Sequence, residues 1–226
     1  MNPLIIALDV EAADEARALV RSLGESAPFY KVGMELYAAA GPELVRELVA
    51  EGKQVFVDLK FYDISETVKR ATAQVAKMGA TFLTVHASRA VMRAAVEGKS
   101  ESGLKILGVT VLTSFDETDL KDLGYSCTPR ELVDLLAGKG KEAGVDGLVC
   151  SPLEVARVRQ IVGPEMKLVT PGVRSAGTAV GDQKRVATPA EAIANGADYL
   201  VVGREVTRAA DPAGAVARIL ESLRQS

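Results

Sequence analysis

A closed (β/α)8 barrel is the fold this sequence predicts. Short runs rich in Val, Ile and Leu alternate with amphipathic helical stretches from end to end, and eight such strand–helix units fit into 226 residues. Gly and Pro punctuate the joints between them. Strands alternating with helices imply a parallel sheet, and eight units in roughly 200–250 residues imply that it closes on itself. An open doubly wound sheet is the competitor. It would place a glycine-rich turn after the first strand, where this chain has Asp9-Val10-Glu11.

The first strand spans Leu4 to Asp9, and its helix carries Ala12, Ala16, Leu19, Val20 and Leu23 at helical spacing before Gly24 ends it. The second strand is Phe29 to Val32. Its helix is expected to open at Gly41-Pro42, to bury Leu44, Val45, Leu48 and Val49, and to stop at Gly52. The third strand runs from Gln54 to Leu59 and is followed by a helix to Met78-Gly79. The fourth spans Thr81 to His86, with a helix opening at Ser88, and the fifth spans Leu104 to Thr113. Three later helices are announced by a hydroxyl residue, a proline and a glutamate: Thr128-Pro129-Arg130-Glu131, Ser151-Pro152-Leu153-Glu154 and Thr188-Pro189-Ala190-Glu191. Each reads as a capping box with proline in the first turn. The sixth, seventh and eighth strands are Gly147–Cys150, Lys167–Thr170 and Tyr199–Val202, and the last helix opens near Asp211-Pro212. No linker or low-complexity tract interrupts the series, so residues 1–226 read as one catalytic domain.

Composition narrows the function. Hydrophobic residues make up 48% and charged residues 25%, which is a globular profile. A net charge of -3 provides no field for nucleic acid or anionic membrane, so neither is an expected partner. Cys127 and Cys150 have no paired spacing, there is no signal-peptide pattern, and no apolar run reaches membrane-spanning length. The cytoplasm is the default location. His86 is the only histidine. A His-rich metal site is therefore impossible, and acid–base work falls to Lys, Asp and Glu.

A barrel of this kind places its active site at the C-terminal ends of its strands. Asp9, Lys31, Asp58, Lys60, His86, Thr113, Ser151, Arg174 and Arg204 fall there. The densest group is Asp58-Leu59-Lys60-Phe61-Tyr62-Asp63-Ile64. Asp58 and Lys60 are two apart on a strand end and should point to the same side, next to Lys31 on the neighbouring strand. In such an alternating network each carboxylate keeps its ammonium neighbour charged, and the reverse. A lysine held so is placed as a general acid. Any one pair reads first as a barrel-end salt bridge, with Asp63 only capping the next helix; four charges at adjacent strand ends read as a site. Thr170-Pro171-Gly172-Val173-Arg174 and Gly203-Arg204 leave the seventh and eighth strands. That is where this fold commonly binds phosphate. The small, glycine-containing stretch from Ser175 to Gln183 fits either a lid or a plain surface loop.

Taken together these motifs resemble the orotidine 5'-phosphate decarboxylase family, bacterial branch. Asp58-x-Lys60-x-x-Asp63-Ile64 is similar to its signature. Ile6-Ala7-Leu8-Asp9, Lys31-Val32-Gly33, Val85-His86-Ala87-Ser88, Val111-Leu112-Thr113-Ser114, Val169 to Arg174, Gly181-Asp182-Gln183 and Val202-Gly203-Arg204 follow in the family's order. Ser65-Glu66 stands where many relatives carry Pro-Asn. The resemblance implies a homodimeric enzyme that converts orotidine 5'-monophosphate to UMP and CO2 with neither metal nor cofactor. It implies Lys60 as proton donor to pyrimidine C6, Asp58 beside the substrate carboxylate, Lys31 and Asp63 as catalytic residues that complete the charge network and hold ribose hydroxyls, and Asp9 also on the ribose. Thr113 would meet the pyrimidine edge, and Arg174, Gln183, Gly203 and Arg204 the phosphate. Asp63 and Thr67 would come from the partner subunit, so that active sites are shared. Two other readings remain: a magnesium-dependent sugar-phosphate decarboxylase or aldolase on the same scaffold, and a non-catalytic phosphate-ligand-binding barrel.

Overall fold

The computed structural model describes residues 2–175 and 187–224. Eight parallel strands close in sequence order into a barrel: β1 (Leu4–Ala7), β2 (Phe29–Gly33), β3 (Gln54–Phe61), β4 (Phe82–His86), β5 (Lys105–Val109), β6 (Gly147–Val149), β7 (Lys167–Thr170) and β8 (Tyr199–Val202). The helices are α1 (Ala13–Leu23), α2 (Met34–Ala50), α3 (Ser65–Lys77), α4 (Arg89–Lys99), α5 (Glu117–Asp122), α6 (Pro129–Ala143), α7 (Val155–Val162), α8 (Pro189–Ala194), α9 (Arg204–Thr207) and α10 (Pro212–Ser222).

The period-two alternation of the strands divides the core in two. Ile5, Ala7, Phe29, Phe56, Phe82, Leu107, Val169 and Val201 pack inside the barrel, while the intervening strand residues, such as Leu4, Ile6, Tyr30 and Val57, pack under the helices. The interior is unusually aromatic for a chain with only 4% aromatic residues. Phe82 sits 5.1 Å from Phe29, 5.9 Å from Phe56 and 5.3 Å from Tyr199 between ring centroids, in tilted and edge-on contacts. This apolar plug lies one side-chain layer below the charged strand ends.

Several local expectations are corrected. The second helix does not wait for Gly41-Pro42: residues 34–40 are already helical, because Met-Glu-Leu-Tyr-Ala-Ala-Ala is a run of good helix formers. Gly41, at φ 67°, breaks α2 into two segments just before Pro42. The fifth strand stops at Val109, and the chain bends through residues 110–113 rather than continuing to Thr113. Of the three expected capping boxes, those at Thr128/Glu131 and Thr188/Glu191 form in full. At Ser151 only half forms. Glu154 Oε2 accepts the Ser151 N–H at 3.2 Å, but the Ser151 hydroxyl is buried without a hydrogen-bond partner among the described residues. Residues 152–154 close a tighter turn through Glu154 N–H to Ser151 C=O, and α7 starts only at Val155. The short helices α5 and α9 were not expected.

Candidate active site

The C-terminal ends of the strands surround a cavity of about 460 Å3, a size suited to a small-molecule ligand. Asp9, Lys31, Asp58, Lys60, Thr113, Arg174, Gly203 and Arg204 all line it. Asp9, Lys31 and Asp58 each lie two residues beyond an interior-facing residue, Ala7, Phe29 and Phe56, so alternation alone carries their side chains to the mouth.

Four of these groups form one chain of charge. Lys31 Nζ lies 2.9 Å from Asp9 Oδ1 and 3.7 Å from Asp58 Oδ2. Asp58 Oδ1 in turn lies 2.9 Å from Lys60 Nζ. Asp58 is thus held between two ammonium groups, one on each oxygen. Lys31 is the most enclosed of the four, its side chain only 10% exposed. Gly33 makes room for it: a Cβ there would come within 3.0 Å of Lys31 Nζ and 3.5 Å of Asp9 Oδ1.

Lys60 reaches Asp58 by a route that simple alternation does not describe. The β3–β4 register runs Val57 to Leu83 and resumes at Phe61 to Val85, so three residues of β3 oppose one of β4. Within this bulge Lys60 has φ 49°, a left-handed backbone uncommon for a residue with a Cβ. The one opposing residue, Thr84, is fully buried and was missed by sequence reasoning. Its hydroxyl donates to Asp58 Oδ1 at 2.8 Å and accepts the Lys60 N–H at 3.0 Å. The available signal was its place between Phe82 and His86 on the inward face of β4.

The rim formed after β7 and β8 is cationic. Arg174 follows β7, and Arg204 opens α9 after β8. Arg208 also lines the cavity, four residues beyond Arg204 and hence on the same helical face. Glu35, in the first turn of α2, lines it as well. Neither was anticipated.

Asp63 and Thr67 do not face this cavity. Both are exposed, at and just before the start of α3, in a run exposed from Tyr62 to Thr67. Asp63 does not cap α3 as its sequence suggested: among the described residues its Oδ1 accepts only the adjacent Ile64 N–H at 2.7 Å, and the N-cap residue is Ile64. Of the possible lid only Ser175 is described, its N–H donating to Glu205 Oε2 at 3.1 Å; Gln183 lies outside the described residues. His86 does not line this cavity: it lines a neighbouring one with Tyr62, whose ring lies 5.1 Å away, and is half-buried. Burial first, and then the charge of Lys60, push its imidazole below its ordinary value. Among the described residues no three His, Cys, Asp or Glu side chains gather into a group that could hold a metal ion, and no helix is long and apolar enough to cross a membrane.

The model of the orotidine 5'-phosphate decarboxylase / HUMPS family matches residues 2–219. The chain belongs to that family. It is 55% identical over 223 residues to the orotidine 5'-phosphate decarboxylase of Rhodopseudomonas palustris strain HaA2, covering 99% of this chain and 95% of that one. It is 53% identical over 220 residues to the enzyme of the same name from Bradyrhizobium sp. strain ORS 278, covering 97% and 90%. The crystal structure of orotidine 5'-phosphate decarboxylase from Lactobacillus acidophilus superposes with a TM-score of 0.87 at 35% identity, covering 99% of both chains. Family, fold and the charged mouth therefore agree.

Proposed function

We propose that this chain, acting as one catalytic domain, decarboxylates orotidine 5'-monophosphate to UMP and CO2, the last step in making UMP, without a cofactor. The observation that carries the reading is Asp58 held between Lys31 and Lys60 at the mouth of the barrel. The names of relatives at 55% and 53% identity support the same substrate.

The chemistry needs such an arrangement. Breaking the bond between C6 and the carboxylate carbon releases CO2 and leaves the electron pair on C6. Neither an adjacent carbonyl nor a cofactor delocalises it. A nearby ammonium in a water-poor pocket stabilises that charge directly. Lys60 then gives a proton from Nζ to C6, forming UMP, and is reprotonated from solvent. Asp58 lies beside the leaving carboxylate and holds the Lys60 ammonium in place through an ion pair at 2.9 Å. Lys31 and Asp9 take ribose hydroxyls, Thr113 meets the pyrimidine edge, and Arg174, Gln183, Gly203 and Arg204 take the phosphate. Binding energy from that remote phosphate orients the base. Purified protein should consume orotidine 5'-monophosphate, followed by loss of its ultraviolet absorbance, and should do so after exhaustive EDTA treatment. Loss on chelation with rescue by magnesium would move the assignment to the sugar-phosphate relatives. Binding of UMP without turnover would make it a phosphate-ligand-binding barrel.

The active enzyme is a homodimer with shared sites, working in the cytoplasm. Asp63 lies three residues from Lys60 yet is exposed and outside its own cavity. An outward Asp63 and Thr67 suit a two-fold interface in which each enters its neighbour's mouth. Lys60→Ala and Asp63→Ala proteins should each be nearly inactive alone. A mixed dimer holds one site with both lesions and one with neither, so exchange of the two mutants should restore up to about a quarter of wild-type activity. No recovery, with exchange confirmed independently, would mean that Asp63 serves its own subunit or is structural.

A further inference from the structure

The bulge in β3 poses a geometric problem. Its three residues, Asp58, Leu59 and Lys60, face the single residue Thr84 of β4, so the regular exchange of backbone hydrogen bonds is interrupted where the charged pair must be held. Lys60 is also in a left-handed conformation, which a residue with a Cβ adopts only at a cost. An N–H buried there needs an acceptor.

Thr84 supplies it with its side chain. The directions of its two hydrogen bonds are settled by their partners. The Lys60 N–H can only donate and the Asp58 carboxylate can only accept, so the one hydroxyl proton points at Asp58 Oδ1. Asp58 Oδ1 is the oxygen that also meets Lys60 Nζ at 2.9 Å. One fully buried hydroxyl therefore holds the backbone of the lysine and the carboxylate that pairs with its ammonium. A β-branched residue on a strand has few χ1 choices, which makes the hydroxyl a fixed strut.

We propose that Thr84 is a positioning residue for the decarboxylation: its hydroxyl sets the place and direction of the Lys60 ammonium through the bulge and through Asp58. The inference rests on the reading of Lys60 and Asp58 as the reacting groups. The competing role is purely structural, satisfaction of one buried N–H in a bulge. That role predicts a less stable protein whose folded molecules turn over normally.

Thr84→Val keeps the shape and removes both hydrogen bonds; Thr84→Ser keeps both. Misplacement of a reacting group by about 1 Å can cost about 100-fold in rate. T84V should accordingly lose about 10- to 100-fold in kcat while its Kd for UMP stays within about threefold of wild type, and T84S should stay within about threefold in both. The loss should disappear when measured in a Lys60→Ala background, because Thr84 acts through Lys60. If T84V does not fold, T84A removes the same hydroxyl without setting a methyl against the bulge and carries the same expectations. The inference is overturned if the folded variant keeps kcat within about threefold of wild type, if T84S is as impaired as T84V, or if the loss adds fully to that of K60A. A wild-type protein inert toward orotidine 5'-monophosphate would instead overturn the functional reading beneath it.

Discussion

The two ends of the barrel use the same ion-pair chemistry to different effect. At the C-terminal mouth the carboxylates of Asp9 and Asp58 are shared among the ammonium groups of Lys31 and Lys60, and all four line an open cavity. At the N-terminal end Asp146 and Asp198 are each shared between basic side chains and the backbone of a neighbouring strand. Asp146 takes Lys99 Nζ at 2.7 Å and the Ile106 N–H of β5 at 2.8 Å. Asp198 takes Arg159 Nη2 at 2.6 Å, Lys167 Nζ at 3.2 Å and the Leu168 N–H of β7 at 2.8 Å. Arg159 spends its remaining donors on the carbonyls of Gly163, Met166 and Gly196. A carboxylate that also accepts a strand N–H ties two strands together. A carboxylate that meets only side chains around a cavity is free to serve a ligand. The backbone partner, more than the charge pair itself, separates structure from chemistry here.

Four substitutions test that division. The largest effect is expected for Lys60→Ala, which should cut turnover by at least about 1000-fold, since general-acid catalysis and charge stabilisation at one atom are lost together. It should still bind UMP and melt near the wild-type temperature. A variant within tenfold of wild type in turnover would remove Lys60 from the role of proton donor. At the opposite end, Asp198→Ala leaves the Leu168 N–H, Arg159 and Lys167 without that acceptor. It should cost about 2–3 kcal/mol of stability, read as a fall in Tm of roughly 4–12 °C, with kcat per folded molecule unchanged. A fall in kcat at full stability would dissolve the distinction between the two ends. Arg204→Ala should lose a charge-assisted phosphate contact worth about 1.5–3 kcal/mol, or roughly 10- to 150-fold in kcat/KM. Orotidine lacking the phosphate should barely register the change; equal damage to both substrates would place Arg204 outside the phosphate site.

The smallest effect concerns His86. Its imidazole, held below the ordinary value of 6.5 by burial and then by Lys60, takes up a proton less readily in the folded chain than in the unfolded one. Its contribution to stability is full above pH 6.5 and is lost as pH falls through the lower folded value. Tm should therefore drop between pH 7 and pH 5 by more in wild type than in His86→Gln. Parallel melting curves for the two proteins would show that His86 does not carry this dependence.

Much of this molecule could be read from the chain before any coordinates. Strand–helix alternation, capping residues and terminal glycines report interactions within a few residues of each other, and they located all eight strands and the order in which they close. The type and spacing of Asp9, Lys31, Asp58, Lys60, Arg174 and Arg204 placed them at strand ends, and all six line one cavity. The floor was legible in hindsight too: Gly144-Val145-Asp146 and Gly196-Ala197-Asp198 precede β6 and β8 in the same pattern.

What escaped depends on neighbours distant in sequence. The bulge at Lys60 exists because β4 meets β3 out of step, and Thr84 matters only because that mismatch sets it opposite Asp58 and Lys60. Glu35 and Arg208 join the mouth through the way α2 and α9 leave their strands. The half-formed cap at Ser151 follows from a tight turn and a buried hydroxyl that the motif alone does not reveal. Asp63 carries the same chemistry as Asp58 but stands on an outgoing, exposed turn. Local periodicity specifies which residues lie on which strand and face. Which of them touch is decided by register between strands and by the direction in which each loop departs, and those are properties of the closed barrel.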